Sequence, residues 1–171
     1  MALYLIDWMM QADQVKLDFI RRYDKEGWSP IENITHLPYI YVKRDIPNLI
    51  QESKFDESFS LTLAKPITEI LKIPPLDRFR LLIWIENQYK IINEIETKYL
   101  ISPPDIKMIA AGVRDLDVLG VTNVIDLLAN GDITKWKEVE MLPYHMCFDK
   151  QLKLSIEKRI EKKLIEQAKN K

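Results

Sequence analysis

From Asp77 to Leu100 the apolar residues Phe79, Leu82, Ile83, Ile85, Tyr89, Ile92, Ile95 and Tyr99 recur at steps of mostly three and four. That rhythm lays them along one side of an α-helix. At about 1.5 Å per residue the helix is roughly 35 Å long. A rod of that length inside a 171-residue chain must be covered by other elements, and this constrains the fold more than any other feature. The chain is expected to be mainly α.

The flanking segments continue the theme. Pro66 suits the first turn of a helix carrying ITEILKI, and Pro74-Pro75 breaks it. Ser102-Pro-Pro-Asp105 is a stop-and-start signal. Ile106 to Arg114 reads as a helix in which Ala110, Ala111 and Gly112 allow close packing. Gly120 ends the following turn, Thr122 or Asn123 can cap VIDLLA, and Asn130-Gly131-Asp132 closes it. Asp132 or Thr134 then caps a helix through Trp136 and Val139, up to Pro143. The last helix starts near Tyr144 and runs almost to the end.

The N-terminal third reads differently. Ala12 to Lys25 has a helical face, with Gly27 as its stop. Leu37 to Val42 is aromatic and β-branched, and Pro38 demotes it to an edge strand. Phe55 to Ala64 alternates, with Phe55, Glu57, Phe59, Leu61 and Leu63 on one side and Asp56, Ser58, Ser60 and Thr62 on the other. A small hairpin or sheet is therefore expected, joined by residues 2–6. Three segments follow from this reading: a mixed region 1–65 with short strands, a helical core 66–143, and a charged amphipathic helix 144–171. The tripeptide LPY occurs at Leu37 and again at Leu142, but the neighbours differ, so it is not read as a repeat.

Composition excludes several classes. Apolar residues are 47% and charged residues 30%, a balance that folds. The net charge of −1 gives no global field for nucleic acid. No run approaches the roughly 18 apolar residues of a membrane span. MALYLIDWMM carries Asp7, has no basic leader and reads as core, not as a signal peptide. One cysteine, Cys147, fits a reducing compartment.

No reaction centre can be assembled. His145, Cys147 and Asp149 are neighbours in sequence, but on one helix Cys147 points about 200° away from His145, so the pair cannot act as thiolate and base. A metal site needs three or four ligands, and only His36 and scattered carboxylates could be added. Asp115, Asp117 and Asp132 lack the spacing of a calcium loop. The glycines form no phosphate-binding pattern. Arg78, Arg80 and Glu86 read as a solvated edge or ion pairs. No catalytic, cofactor-binding or metal residue is assigned, and no cofactor is expected.

The last helix says more. Leu152, Ile156, Ile160, Leu164 and Ala168 fall four apart, a stripe one residue wide. Between Asp149 and Lys171 eight basic residues face four acidic ones, a net of +4, which leaves −5 for the remainder. Such a helix either packs along its own domain with a solvated basic face, or is offered to another chain. Trp136, Leu142, Tyr144 and Phe148, flanking Pro143, are candidates for the same surface, with a role as core anchors as the alternative.

RLLIWIENQY, KYLISPPD, IAAG, LGVTNVIDLLANGDITKWKEVEMLPY and FDKQL, spread from Arg80 onward, together resemble small helical proteins encoded among the tail genes of tailed bacteriophages and prophages of gut bacteria. That group is usually considered to be tail assembly chaperones. The resemblance implies a non-enzymatic protein that binds the long, helical tape-measure protein before the tail tube forms. It implies a homo-oligomer working in the host cytoplasm, with no small-molecule substrate, no membrane and no nucleic acid. The partner-binding residues would be Trp136, Leu142, Tyr144, Phe148, Leu152, Ile156, Ile160 and Leu164. Two other readings stay open: a head–tail connector ring retained in the virion, and a small host enzyme or regulator using His145 or Cys147.

Overall fold

The computed structural model describes residues 33–100 and 106–169. The expected helix at 12–25, the strand at 2–6 and the break at 102–105 lie outside the described residues. Eight α-helices are present among them: α1 Ile46–Gln51, α2 Phe55–Leu63, α3 Ile67–Ile70, α4 Pro75–Tyr99, α5 Ile106–Ala110, α6 Val121–Leu128, α7 Trp136–Met141 and α8 Tyr144–Lys169. Short 3-10 turns occupy Ile34–His36, Val113–Leu119 and Ile133–Lys135. The described residues are mainly helical and contain no strand, only one isolated antiparallel bridge between Pro38 and Pro143.

The expected hairpin is therefore corrected. Phe55–Leu63 is helix α2. Its alternation of apolar and hydroxyl residues fits a strand by eye, but the residues that disappear from solvent are Ser58, Phe59 and Thr62. These are spaced as one side of a helix, not of a strand. The buried hydroxyls are satisfied within the helix itself: Ser58 Oγ donates to the Phe55 carbonyl at 2.8 Å and Thr62 Oγ1 to the Ser58 carbonyl at 2.8 Å. Backward bonding of this kind removes the cost of burying a hydroxyl, and lets Ser and Thr line a helix core.

The second expected strand, 37–42, is also helical after Pro38. The helical backbone from residue 39 to residue 51 passes through a π-turn at Tyr41–Asp45. Pro47 follows in the first turn of α1 and has no N–H to give to the carbonyl four residues back. The widened turn lies where that bond is missing.

Two compact units can be described, each by itself. In the first, spanning Asp45–Gln88, α1 packs on α2 and α2 on α3. Ile46, Phe59, Ile70, Leu81, Leu82 and Ile85 are buried there. Arg78 Nη1 donates to Asp56 at 3.1 Å and Arg80 to Asp77 at 2.8 Å, so these arginines make ion pairs.

The second unit joins Thr35–Arg44 to the chain from Tyr89 onward. Ile92, Ile125, Ala129, Val139, Tyr144 and Cys147 are buried in it. Asp132 accepts from the Thr134 N–H at 3.0 Å and caps the turn leading into α7, as its sequence position predicts. Helix α6 begins at Val121 behind Gly120, and neither Thr122 nor Asn123 caps it. Helix α5 ends at Ala110, short of the expected Arg114. Gly112 stands at φ +83°, and a Cβ there would come within 2.8 Å of Asp115 Oδ2. Ala110 and Ala111 are exposed.

The register of α2 makes a direct test. Thr62→Lys forces an ammonium into a position 1% exposed and is expected to lower stability by several kcal/mol, about 3 or more. Glu57→Gln, at an exposed position, is expected to stay within about 0.5 kcal/mol of wild type. Urea unfolding followed by circular dichroism reads both. A strand that buried residue 57 and exposed residue 62 would reverse the order.

Candidate partner-binding surface

The last helix is launched from a clasp made by the two LPY tripeptides. The Tyr39 N–H donates to the Leu142 carbonyl at 2.7 Å, and the Tyr144 N–H donates to the Leu37 carbonyl at 2.9 Å. Pro38 and Pro143 face each other between these bonds. Neither proline has an N–H, so the flanking residues carry the pairing. Each proline carbonyl then receives the first helical bonds of the chain that follows. Pro38 accepts from Tyr41 and Val42, and Pro143 accepts from Met146 and Cys147. The two tyrosine rings stack, 6.0 Å apart and 8° from parallel.

Glu96 locks this clasp from α4. Counting by helical turns, Ile85, Tyr89, Ile92 and Glu96 share one side, so Glu96 stands where the apolar row would continue. Its carboxylate accepts from Lys43 Nζ at 2.9 and 2.7 Å and from Tyr144 Oη at 2.7 Å. Tyr89 Oη donates to the Val42 carbonyl at 2.7 Å. Burial raises the tyrosine pKa values of Tyr39, Tyr89 and Tyr144. For Tyr144, the hydrogen bond to Glu96 and its negative charge add to the rise. A phenol that must donate to a carboxylate is held neutral, so this cluster is a structural staple.

The candidate partner residues separate along this arrangement. Tyr144 is 3% exposed and committed to Glu96, so it is corrected from surface residue to core anchor. Phe148 is half-buried and stacks on Tyr144 at 6.2 Å. Trp136 is half-buried, with its indole N–H donating to Asp126 at 3.1 Å. Leu142 and Leu152 are half-buried. Gln151 donates to the Cys147 carbonyl at 3.2 Å, and Ser155 reaches the Tyr99 carbonyl at 3.5 Å. Beyond Ser155 the stripe emerges: Ile156 is 41% exposed, Ile160 53% and Leu164 60%. Ile165 beside them is exposed as well. The ion pair of Lys153 with Glu157, at 3.6 Å, lies along the helix surface.

A second run of exposed apolar side chains lies at 108–119: Met108, Ile109, Leu116, Val118 and Leu119. Sequence reasoning assigned no surface role to it. The available signal was that Asp115 and Asp117 alternate with Leu116 and Val118, setting charges directly beside apolar residues.

His145, Cys147 and Asp149 do not converge. Cys147 is buried with its Sγ 4.0 Å from the Val139 carbonyl, and burial pushes its thiol up to about 11. His145 is exposed, with Nδ1 3.1 Å from the Thr35 carbonyl and its ring against that of His36. Among the described residues no group of three or more His, Cys, Asp and Glu side chains could hold a metal ion. No described helix is long and apolar enough to cross a membrane. Comparison of the chain with known protein families, with curated proteins and with solved structures gives no match.

Two outcomes follow. Tyr144→Phe removes a hydrogen bond to a charged acceptor and is expected to cost about 1.5–3 kcal/mol in urea unfolding. The Cys147 thiol is expected to resist iodoacetamide at pH 8 at a rate set by unfolding. Its folded pKa lies above the ordinary value of 9.0. The stability it contributes is thus complete below pH 9 and is lost as pH rises through about 11. Thermal melts from pH 8 to 11, with Cys147→Ala as reference, measure that loss.

Proposed function

We propose that this protein works by gripping another polypeptide with the outer half of α8, as a non-enzymatic tail assembly protein of a tailed phage. The observation that carries the mode of action is the stripe Ile156, Ile160 and Leu164, exposed at the end of a helix whose beginning is anchored by Tyr144. An apolar row this narrow, flanked by lysines and glutamates, is complementary to one face of a second helix. A long helical tape-measure protein supplies such faces repeatedly. The phage assignment itself rests on the resemblance of the sequence from Arg80 onward, and host cytoplasm during assembly is the location it implies. The exposed residues at 108–119 give the same chain a second apolar face, as self-association or a further tail subunit would need.

The test is co-expression with the tape-measure protein of the phage or prophage that carries this gene, followed by pull-down. Ile160→Asp with Leu164→Asp is expected to abolish recovery. Both positions are more than half exposed, so stability should stay within about 1 kcal/mol of wild type. A wild-type protein that recovers no tape-measure protein, or a double variant that recovers it undiminished, contradicts the reading. Chain found as a stoichiometric ring in purified virions favours the connector alternative.

A further inference from the structure

His36 and His145 are the only histidines of the chain, 109 positions apart in sequence, and the LPY clasp brings them together. One precedes the first tripeptide and the other follows the second, so the crossed backbone bonds of Tyr39 and Tyr144 set them side by side. Their ring centres are 5.2 Å apart and their planes 65° from parallel. Both side chains are exposed. His145 Nδ1 lies 3.1 Å from the Thr35 carbonyl, an acceptor only, so Nδ1 carries the proton and donates it there. In the neutral ring Nε2 is then left with its lone pair. Imidazole ligands are oriented in this way, by a donor bond from the other ring nitrogen to a backbone carbonyl. Two imidazoles sharing an ion at the usual metal–nitrogen length of about 2 Å, at a near-tetrahedral angle, stand roughly 5 Å apart centre to centre.

We propose that His36 and His145 form a two-nitrogen site for a divalent transition-metal ion of the zinc, nickel and copper group. Two protein ligands leave the remaining positions to water or to a donor from another molecule. Cys147 takes no part, since its thiol is buried against Val139. A bound ion ties the Ile34–His36 turn to the first turn of α8, across the same clasp that launches the helix. Imidazole pairs hold copper more tightly than zinc, and do not select magnesium.

The experiment is isothermal titration of tag-free, full-length protein with Zn2+, then Cu2+, with Mg2+ as control. One ion per chain is expected for Zn2+ and Cu2+, with a higher thermal midpoint and no heat from Mg2+. His36→Ala and His145→Ala should each weaken binding at least about ten-fold. Paramagnetic broadening by Cu2+ provides a reading that needs no variant: the carbon-bound ring protons of both histidines should broaden first. No binding of either ion up to millimolar concentration overturns the proposal. Undiminished binding by either variant, or broadening that spares one of the two rings, does so as well. The titration uses the protein alone, so its result is separate from that of the tape-measure pull-down.

Discussion

The crossed pair of backbone bonds between Leu37-Pro38-Tyr39 and Leu142-Pro143-Tyr144 is the constraint on which the second unit depends. Each proline ends one path of the backbone and offers its carbonyl to the next helix, so a single contact orients two helical stretches at once. The rings of Tyr39 and Tyr144 close over the contact, and Glu96 fixes it by drawing Lys43 and Tyr144 to one carboxylate. A partly buried carboxylate with three donor contacts recovers in hydrogen bonds what it loses in hydration. Removing the acid would leave Lys43, with a side chain only 25% exposed, facing a low-dielectric site unpaired.

This arrangement divides α8 into two halves with different roles. Up to Ser155 the helix is held by Tyr144 on Glu96, Cys147 buried against Val139, Gln151 on Tyr39 and Ser155 at the Tyr99 carbonyl. From 156 to 168 the residues are exposed, including Ile156, Ile160 and Leu164. A helix rigidly held at one end presents its other end in a defined direction, which lowers the entropy lost when a partner docks. The grip proposed for the outer half therefore draws on the anchoring of the inner half.

Much of the helical layout was legible in the sequence. The row from Phe79 onward predicts α4 to within two residues, and the start of α8 at Tyr144 coincides with expectation. Asp132 as a cap was readable from residue type and position. The failures have physical causes. Alternation over Phe55–Leu63 mimics a strand because Ser58 and Thr62 are buried by bonding backward, which hydropathy does not reveal. The position of Glu96 on the buried face of α4 was visible by counting four from Ile92, but its partners lie 53 and 48 residues away. The two LPY tripeptides are not a repeat, and a sequence does not show that they pair. Tyr144 looked like a surface aromatic beside a proline, and only the stacking and the carboxylate bury it. His36 and His145 came together for the same reason the tripeptides did.

Hydrogen exchange along α8 tests the central claim most directly. The amides of residues 148–155 should be protected to nearly the extent of global unfolding, because the clasp and Glu96 must open before they exchange. The amides after Ile156 should exchange by local fraying, orders of magnitude faster, and slow when the partner is bound. Uniform protection from Tyr144 to the end of the helix in the isolated protein would contradict the division into an anchored half and an offered half.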